Sequence, residues 1–69
     1  MKAIKYKGRI VSLKHVREIK TWHDDSLWYI DLEFNDNVRH DITLRYKTES
    51  DRNNKFEQIS SAFDVIEVG

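Results

Sequence analysis

The sequence contains no cysteine and no proline, and its two glycines stand at positions 8 and 69. Without cysteine the chain has neither a disulfide framework nor a thiolate zinc site, and small extracellular domains usually depend on such cross-links. We therefore expect an intracellular, cytoplasmic setting. Without a glycine-rich stretch the chain also lacks the loop that cradles phosphate groups in many nucleotide-binding proteins.

Long apolar segments are missing too. The longest apolar run covers residues 27–30, whereas a helix that spans a membrane needs about 20 apolar residues. The first residues carry lysines but lack the apolar centre of a signal peptide. We expect one small domain over residues 1–69 that does not enter a membrane. Its core must be small, because a chain of this size buries only about 60% of the surface that it exposes when unfolded.

The charges cancel overall but are unevenly distributed. Twelve basic and twelve acidic side chains give a net charge of zero. Residues 1–22 nevertheless hold seven basic side chains against one acidic, so the remainder carries the opposite surplus. A basic arm that seeks an anionic partner is one interpretation. We favour the other, in which basic strands lie beside acidic strands and the charges pair within the fold.

Two segments, residues 27–34 and 40–46, alternate between apolar and polar side chains, as strands with one buried face do. Their inward-facing set is Trp28, Ile30, Leu32, Phe34, Ile42, Leu44 and Tyr46. Their outward-facing set is Tyr29, Asp31, Glu33, Asp41, Thr43 and Arg45. Residues 35–37, Asn-Asp-Asn, predict a three-residue hairpin loop between them. In that register Ile30 lies opposite Ile42.

The first third of the chain also favours strands. As a helix, residues 10–22 would spread their apolar side chains over half of the circumference instead of forming one stripe. In a continuous strand Val11 and Leu13 would point to one face and Val16 to the other. Keeping all three apolar side chains on one face therefore predicts a bend or bulge at residues 14–15 between two short strands. Residues 3–7 are predicted to form an edge strand that turns at Gly8.

Beyond residue 46 the apolar period becomes helical. Apolar residues recur at i, i+3, i+7 and i+10, in a stripe formed by Phe56, Ile59, Phe63 and Ile66. This spacing predicts a helix of about four turns, with Thr48 or Ser50 as its N-cap. We interpret the stripe as a core contact, because a helix that follows a one-sided sheet usually covers the apolar face of that sheet.

Together these elements predict an α+β fold, an antiparallel β-meander of four to five short strands with one C-terminal helix packed on one face. The alternative is a small, partly open β-barrel with a C-terminal helix, which resembles a reduced pleckstrin-homology fold. No motif in the sequence points to a particular family.

The segment KTWHDDSLWYI, residues 20–30, places His23 and two aspartates between two tryptophans. A two-residue turn at Asp24 and Asp25 pairs Thr21 with Trp28 and explains the polar centre as turn chemistry. Asp-Asp forms two-residue turns less readily than Asp-Gly, so a loop longer by a residue or two is the alternative. On this interpretation Asp24→Gly is expected to be neutral or mildly stabilising.

Metal binding and catalysis find little support in the pattern. The three histidines, at positions 15, 23 and 40, form no H-x-x-x-H pair, so we expect no metal site and no cofactor. In the predicted register Asp31 lies opposite Asp41, and paired carboxylates can act as general acid and base. On an open sheet face, however, water screens such a pair. The serines have no evident histidine partner. We therefore expect a non-enzymatic protein without catalytic residues.

One candidate interaction surface remains, on the outward-facing side of the predicted sheet. Its apolar members are Trp22, Leu27 and Tyr29, and it is flanked by Lys20 and Arg45. Aromatic residues and arginine are enriched at protein interfaces. Aromatic residues beside basic ones also bind single-stranded nucleic acids. Zero net charge favours the first interpretation. The sequence therefore predicts an interaction module that forms a homodimer or binds another protein, with weak binding of single-stranded nucleic acid as the alternative.

Overall fold

A computed structural model describes residues 2–35 and 41–69. Five strands precede one helix, in the order β1 (Ala3–Tyr6), β2 (Arg9–Ser12), β3 (Val16–His23), β4 (Trp28–Phe34), β5 (Ile42–Tyr46) and α1 (Glu49–Ser60). β1 and β2 form a two-stranded antiparallel sheet, and β3, β4 and β5 form a three-stranded antiparallel sheet in that order. The predicted α+β meander with one C-terminal helix is confirmed. Within the described residues the strands do not close into the alternative barrel.

The β1–β2 hairpin turns at Lys7 and Gly8, as predicted. Both residues have positive φ, 50° and 75°, and a two-residue turn with this backbone matches the right-handed twist of the flanking strands. The pairing continues beyond the two strands, since the Leu13 N–H donates to the Lys2 carbonyl at 2.8 Å. The hairpin thus lies at the N-terminal side of the fold as a small sheet of its own.

The predicted break near residues 14–15 is also confirmed. β2 ends at Ser12 and β3 begins at Val16, and the Val16 N–H donates to the Leu13 carbonyl at 3.2 Å across the intervening turn. A register shift between Val16 and Glu18 adds a bulge at the start of β3. This irregularity ends one sheet and begins the other.

The strand registers differ from the predicted ones by two residues. Thr21 lies opposite Ile30, so the loop between β3 and β4 covers residues 24–27 instead of a two-residue turn. Ile30 lies opposite Leu44, not opposite Ile42. Because a shift by two preserves the alternation of side chains, the same residues still face the core. Of the loop predicted at residues 35–37, positions 36 and 37 lie outside the described residues.

The core lies between the three-stranded sheet, the β1–β2 hairpin and α1. Its two fully buried side chains are Ile30 and Leu32 of β4. The other buried members are Val11, Leu13, Phe34, Ile42 and Ile59. We call the sheet face that carries Ile30 the inner face, and the opposite face, which carries Tyr29, the outer face.

The helix begins where the sequence indicates and ends earlier than predicted. Thr48 is its N-cap, and the Thr48 Oγ1 accepts a hydrogen bond from the Asp51 N–H at 3.1 Å. α1 ends at Ser60, so Phe63 packs on the core from beyond the helix and Ile66 is 85% exposed. The prediction that Ile66 belongs to the helical stripe is wrong. The Ser61 hydroxyl donates to the Gln58 carbonyl at 2.7 Å, and the Ala62 N–H donates to the Ile59 carbonyl at 3.0 Å. These bonds satisfy carbonyls of the last turn, so the helix ends there. No helix in the described residues is long and apolar enough to cross a membrane.

Candidate interaction surface at the β3–β4 hairpin

The outer face of the β3–β4 hairpin is organised around two stacked rings. Trp22 of β3 and Tyr29 of β4 are cross-strand neighbours, and their ring centroids lie 3.9 Å apart with 12° between the ring planes. The Trp22 indole N–H also donates to Asp31 Oδ2 at 2.9 Å. Cross-strand aromatic contacts of this kind stabilise a hairpin beyond the burial of area alone. Two contacts therefore define the orientation of the indole.

Asp24 organises the loop next to this stack. Its Oδ1 accepts hydrogen bonds from the backbone N–H groups of Ser26 and Leu27, both at 2.8 Å. Its Oδ2 accepts a hydrogen bond from the Tyr29 hydroxyl at 2.7 Å. The interpretation of the polar centre as turn chemistry is thus confirmed, in a loop two residues longer than the simplest turn.

These hydrogen bonds also determine the charge state of the loop. Donation by the Tyr29 hydroxyl, followed by the Leu27 and Ser26 amides, holds the pKa of the Asp24 carboxyl below its ordinary value. The same bond to the carboxylate raises the pKa of the Tyr29 hydroxyl. A charged Asp24 is therefore part of the folded loop.

Basic residues of β3 pair with an acidic residue of β4. Lys20 Nζ lies 2.8 Å from Glu33 Oε1, and Arg17 Nη2 lies 2.9 Å from Glu33 Oε2. The bond from Lys20 lowers the pKa of the Glu33 carboxyl, and the carboxylate raises the pKa of the Lys20 ammonium. At these positions the charges of neighbouring strands pair within the fold, as the favoured interpretation of the uneven charge distribution requires.

The predicted carboxylate pair on the outer face does not form. Asp31 lies opposite Thr43, and its Oδ1 accepts a hydrogen bond from Thr43 Oγ1 at 2.8 Å. Asp41 Oδ1 accepts a hydrogen bond from the Phe34 N–H at 3.1 Å. The two-residue difference in register separates the carboxylates. Asp31 therefore serves as a bridge between side chains of β3 and β5.

The structure places the five candidate residues in different situations. Trp22 is 43% exposed, whereas Tyr29 is 8% exposed beside the indole. Leu27 is half-buried in the loop. Lys20 is engaged with Glu33, and Arg45 is exposed on β5 opposite Tyr29. The expectation of three exposed apolar groups is therefore wrong for Tyr29, and the surface is centred on Trp22 alone.

Arg52 is a residue that the sequence pattern did not bring to notice. It is the buried charged residue of α1, 8% exposed. Its guanidinium carbon lies 5.2 Å from the centroid of the Trp28 ring, and its Nη1 donates to the Trp22 carbonyl at 3.3 Å. Position 52 precedes Phe56 by one helical turn, so the helical period did point it towards the sheet. Arg52 thereby connects α1 to the β3–β4 hairpin.

The inner side of the hairpin end carries a second aromatic pair. The His23 and Trp28 rings have centroids 4.5 Å apart and an angle of 31° between their planes. Across residues 2–35 and 41–69, no three His, Asp or Glu side chains come together as metal ligands. Position 40, the third histidine of the sequence, lies outside the described residues.

Comparisons with the models of protein families, with curated proteins and with solved structures find no match. Function is therefore inferred from the geometry of the chain itself.

Proposed function

We propose that this chain is a small, non-enzymatic interaction module that binds a protein partner through Trp22 and its neighbours on the outer face. The observation that supports this function is the position of the indole. One ring face packs on Tyr29, and 43% of the residue surface stays exposed. The exposed part of the indole is therefore available to contact a partner.

The fixed orientation of Trp22 favours tight contact. The stack on Tyr29 and the hydrogen bond to Asp31 hold the side chain before a partner arrives. Binding then costs little side-chain entropy, which is the general advantage of a preorganised surface. Tryptophan and arginine are also enriched among the residues that dominate interface energies. Trp22 is the proposed anchor, with Lys20 and Arg45 at its edge.

A second copy of the chain is the partner that we propose first. The outer face carries both signs of charge close to Trp22, and a two-fold interface places such a patch against itself with the signs opposed. Single-stranded nucleic acid is less well supported. Lys20 and Arg17 already pair with Glu33, and the carboxylate of Asp31 lies next to the indole, where it repels phosphate groups.

The test is sedimentation equilibrium of the parent and of Trp22→Ser, from micromolar to millimolar concentration, at low and at high salt. We expect Trp22→Ser to weaken self-association at least tenfold. Arg45→Glu alters the edge of the surface without changing the Trp22–Tyr29 stack, and it should weaken self-association less than Trp22→Ser does. The control is Ile10→Ser, because Ile10 is 71% exposed on β2, away from this face.

Circular dichroism must show that each variant is folded at the temperature used. A parent that stays monomeric at millimolar concentration contradicts the homodimer. If that parent binds oligonucleotides with strong salt dependence, and Trp22→Ser abolishes the binding, the nucleic-acid alternative replaces the protein interface.

A further inference from the structure

A groove of about 400 Å³ lies between β1, β5 and α1. Apolar side chains from three parts of the chain line it, namely Leu13, Leu44 and Ile59. None of the five candidate residues of the outer face takes part in it. It is therefore a separate surface, and no conclusion about it depends on the function proposed for Trp22.

One wall of the groove is the unpaired edge of β1. In the β1–β2 hairpin the residues that flank the turn, Tyr6 and Arg9, exchange backbone hydrogen bonds, and this pairing alternates along the strands. The bond from the Leu13 N–H to the Lys2 carbonyl continues the same alternation. The N–H and C=O groups of residues 3 and 5 therefore point away from β2.

The residues that carry those outward groups lie at the groove. Ala3, Ile4 and Lys5 all line it, and three consecutive strand residues share a backbone edge, not a side-chain face. Within the described residues β1 pairs with β2 alone. An unpaired strand edge is a template for another extended segment. The groove therefore offers backbone hydrogen bonds beside an apolar floor.

The segment after the helix has the complementary properties. Residues 64–69, DVIEVG, are rich in β-branched residues, which favour strands. Val65, Ile66 and Val68 are 67%, 85% and 92% exposed, so their apolar surface has no cover within the described residues. Asp64 and Glu67 are acidic, whereas the groove carries the basic side chains of Lys5 and Lys55. The strand preference of residues 64–69, their exposed apolar side chains and their acidic side chains all complement the groove.

We propose that residues 64–69 of a second copy occupy this groove as an additional strand along the free edge of β1. Ala62, just before this segment, lines the groove of its own copy. The apolar side chains of residues 64–69 are nevertheless exposed to solvent instead of packing in that groove. A two-fold axis lets each copy place its segment in the groove of the other. Six extended residues span roughly 20 Å, enough to follow the four residues of β1.

Sedimentation equilibrium of the full chain tests whether residues 64–69 of a second copy occupy the groove. Ile66→Asp combined with Val68→Asp places two charges where apolar contact is proposed, and we expect the dissociation constant of the dimer to rise at least tenfold. Both side chains are exposed in one copy, so the free energy of unfolding of the monomer should not change. Asn35→Asp combined with Ser50→Asp is the matched control, because it introduces the same two charges at exposed residues that do not line the groove.

A second pair of variants tests the strand edge. Lys5→Pro removes the N–H that points away from β2, which a sheet edge tolerates, whereas Lys5→Ala removes the same charge and keeps the N–H. We expect Lys5→Pro to abolish association and Lys5→Ala to weaken it only slightly. If Lys5→Pro does not fold, the double variant at positions 66 and 68 decides.

Three results overturn the proposal. One is a parent that is monomeric up to millimolar concentration, and another is a double variant that associates as the parent does. The third is a folded Lys5→Pro that associates as Lys5→Ala does. Trp22→Ser separates the two surfaces. If it alone weakens association, the outer face is the interface and the groove proposal fails; if the groove variants alone weaken association, the outer-face homodimer fails.

Discussion

The indole of Trp22 lies flat on the ring of Tyr29, with ring centroids 3.9 Å apart and 12° between the planes. This one contact does two things. It covers Tyr29, and it holds the exposed Trp22 in one orientation on the outer face. The stability of the hairpin and the shape of the proposed interface are therefore coupled, and changes in the loop below the stack should affect both.

The loop predicts a specific dependence of stability on pH. Because the pKa of Asp24 is lowered in the folded state, its stabilising contribution is present above the ordinary value of 3.8 and is lost as the pH falls through the lower, folded value. We expect the parent to exceed Asp24→Asn in stability near pH 7 and to lose that advantage in acid. Urea unfolding across the acid range measures both.

Asp25→Asn is the control for this prediction, since it removes the same charge one residue further along the loop. If Asp24→Asn and Asp25→Asn show the same pH dependence, the hydrogen bonds to Asp24 do not determine it. The three bonds that Asp24 accepts also reverse the expectation for Asp24→Gly, which should be destabilising because all of them are lost.

Arg52 is expected to stabilise the contact between α1 and the hairpin. Arg52→Ala should lower the free energy of unfolding by about 1–3 kcal/mol, because it removes a buried hydrogen bond and the packing on Trp28. Arg52→Lys should retain little of this stabilisation, since lysine lacks the planar group that stacks on a ring. Chemical denaturation measures both variants. Lys55→Ala, at an exposed position of the same helix, should change stability by less than about 0.5 kcal/mol. Full recovery by lysine would show that charge alone matters at position 52.

The helix cap gives a second prediction for α1. Thr48→Ala removes the oxygen that accepts from the Asp51 N–H, and we expect a loss of about 1 kcal/mol. Thr48→Ser keeps that oxygen and should retain most of the stability. Ser50→Ala tests the other cap position that the sequence allowed, and Ser50 lies inside the helix. Thermal unfolding measures all three, and a larger loss for Ser50→Ala than for Thr48→Ala would reassign the cap.

The core prediction concerns the fully buried Leu32. Leu32→Ala should cost about 2–5 kcal/mol, a large share of the roughly 5–15 kcal/mol that holds a typical domain folded. Ile66→Ala is the control, because the same kind of change at an exposed position should cost less than about 0.5 kcal/mol. Equal unfolding midpoints for the two variants would place the core elsewhere.

The sequence by itself determined the features that depend on neighbouring residues. Alternation over residues 27–34 identified the inner face of β4, and the parity break between Leu13 and Val16 identified the end of one sheet and the start of the next. Gly8 indicated the first turn, and Thr48 was one of two possible caps. Each of these follows from the strand period, the backbone freedom of glycine or a side chain that bonds its own backbone, so no distant contact is needed.

Only the tertiary structure decided how these elements meet. A register shift of two residues leaves every side chain on its predicted face, so the pattern cannot detect it; yet this shift separates Asp31 from Asp41 and brings Tyr29 under Trp22. Arg52 is buried because a tryptophan ring and a backbone carbonyl from another part of the chain meet it. Burial, register and the contacts of the outer face depend on residues far apart in sequence, and packing alone brings them together.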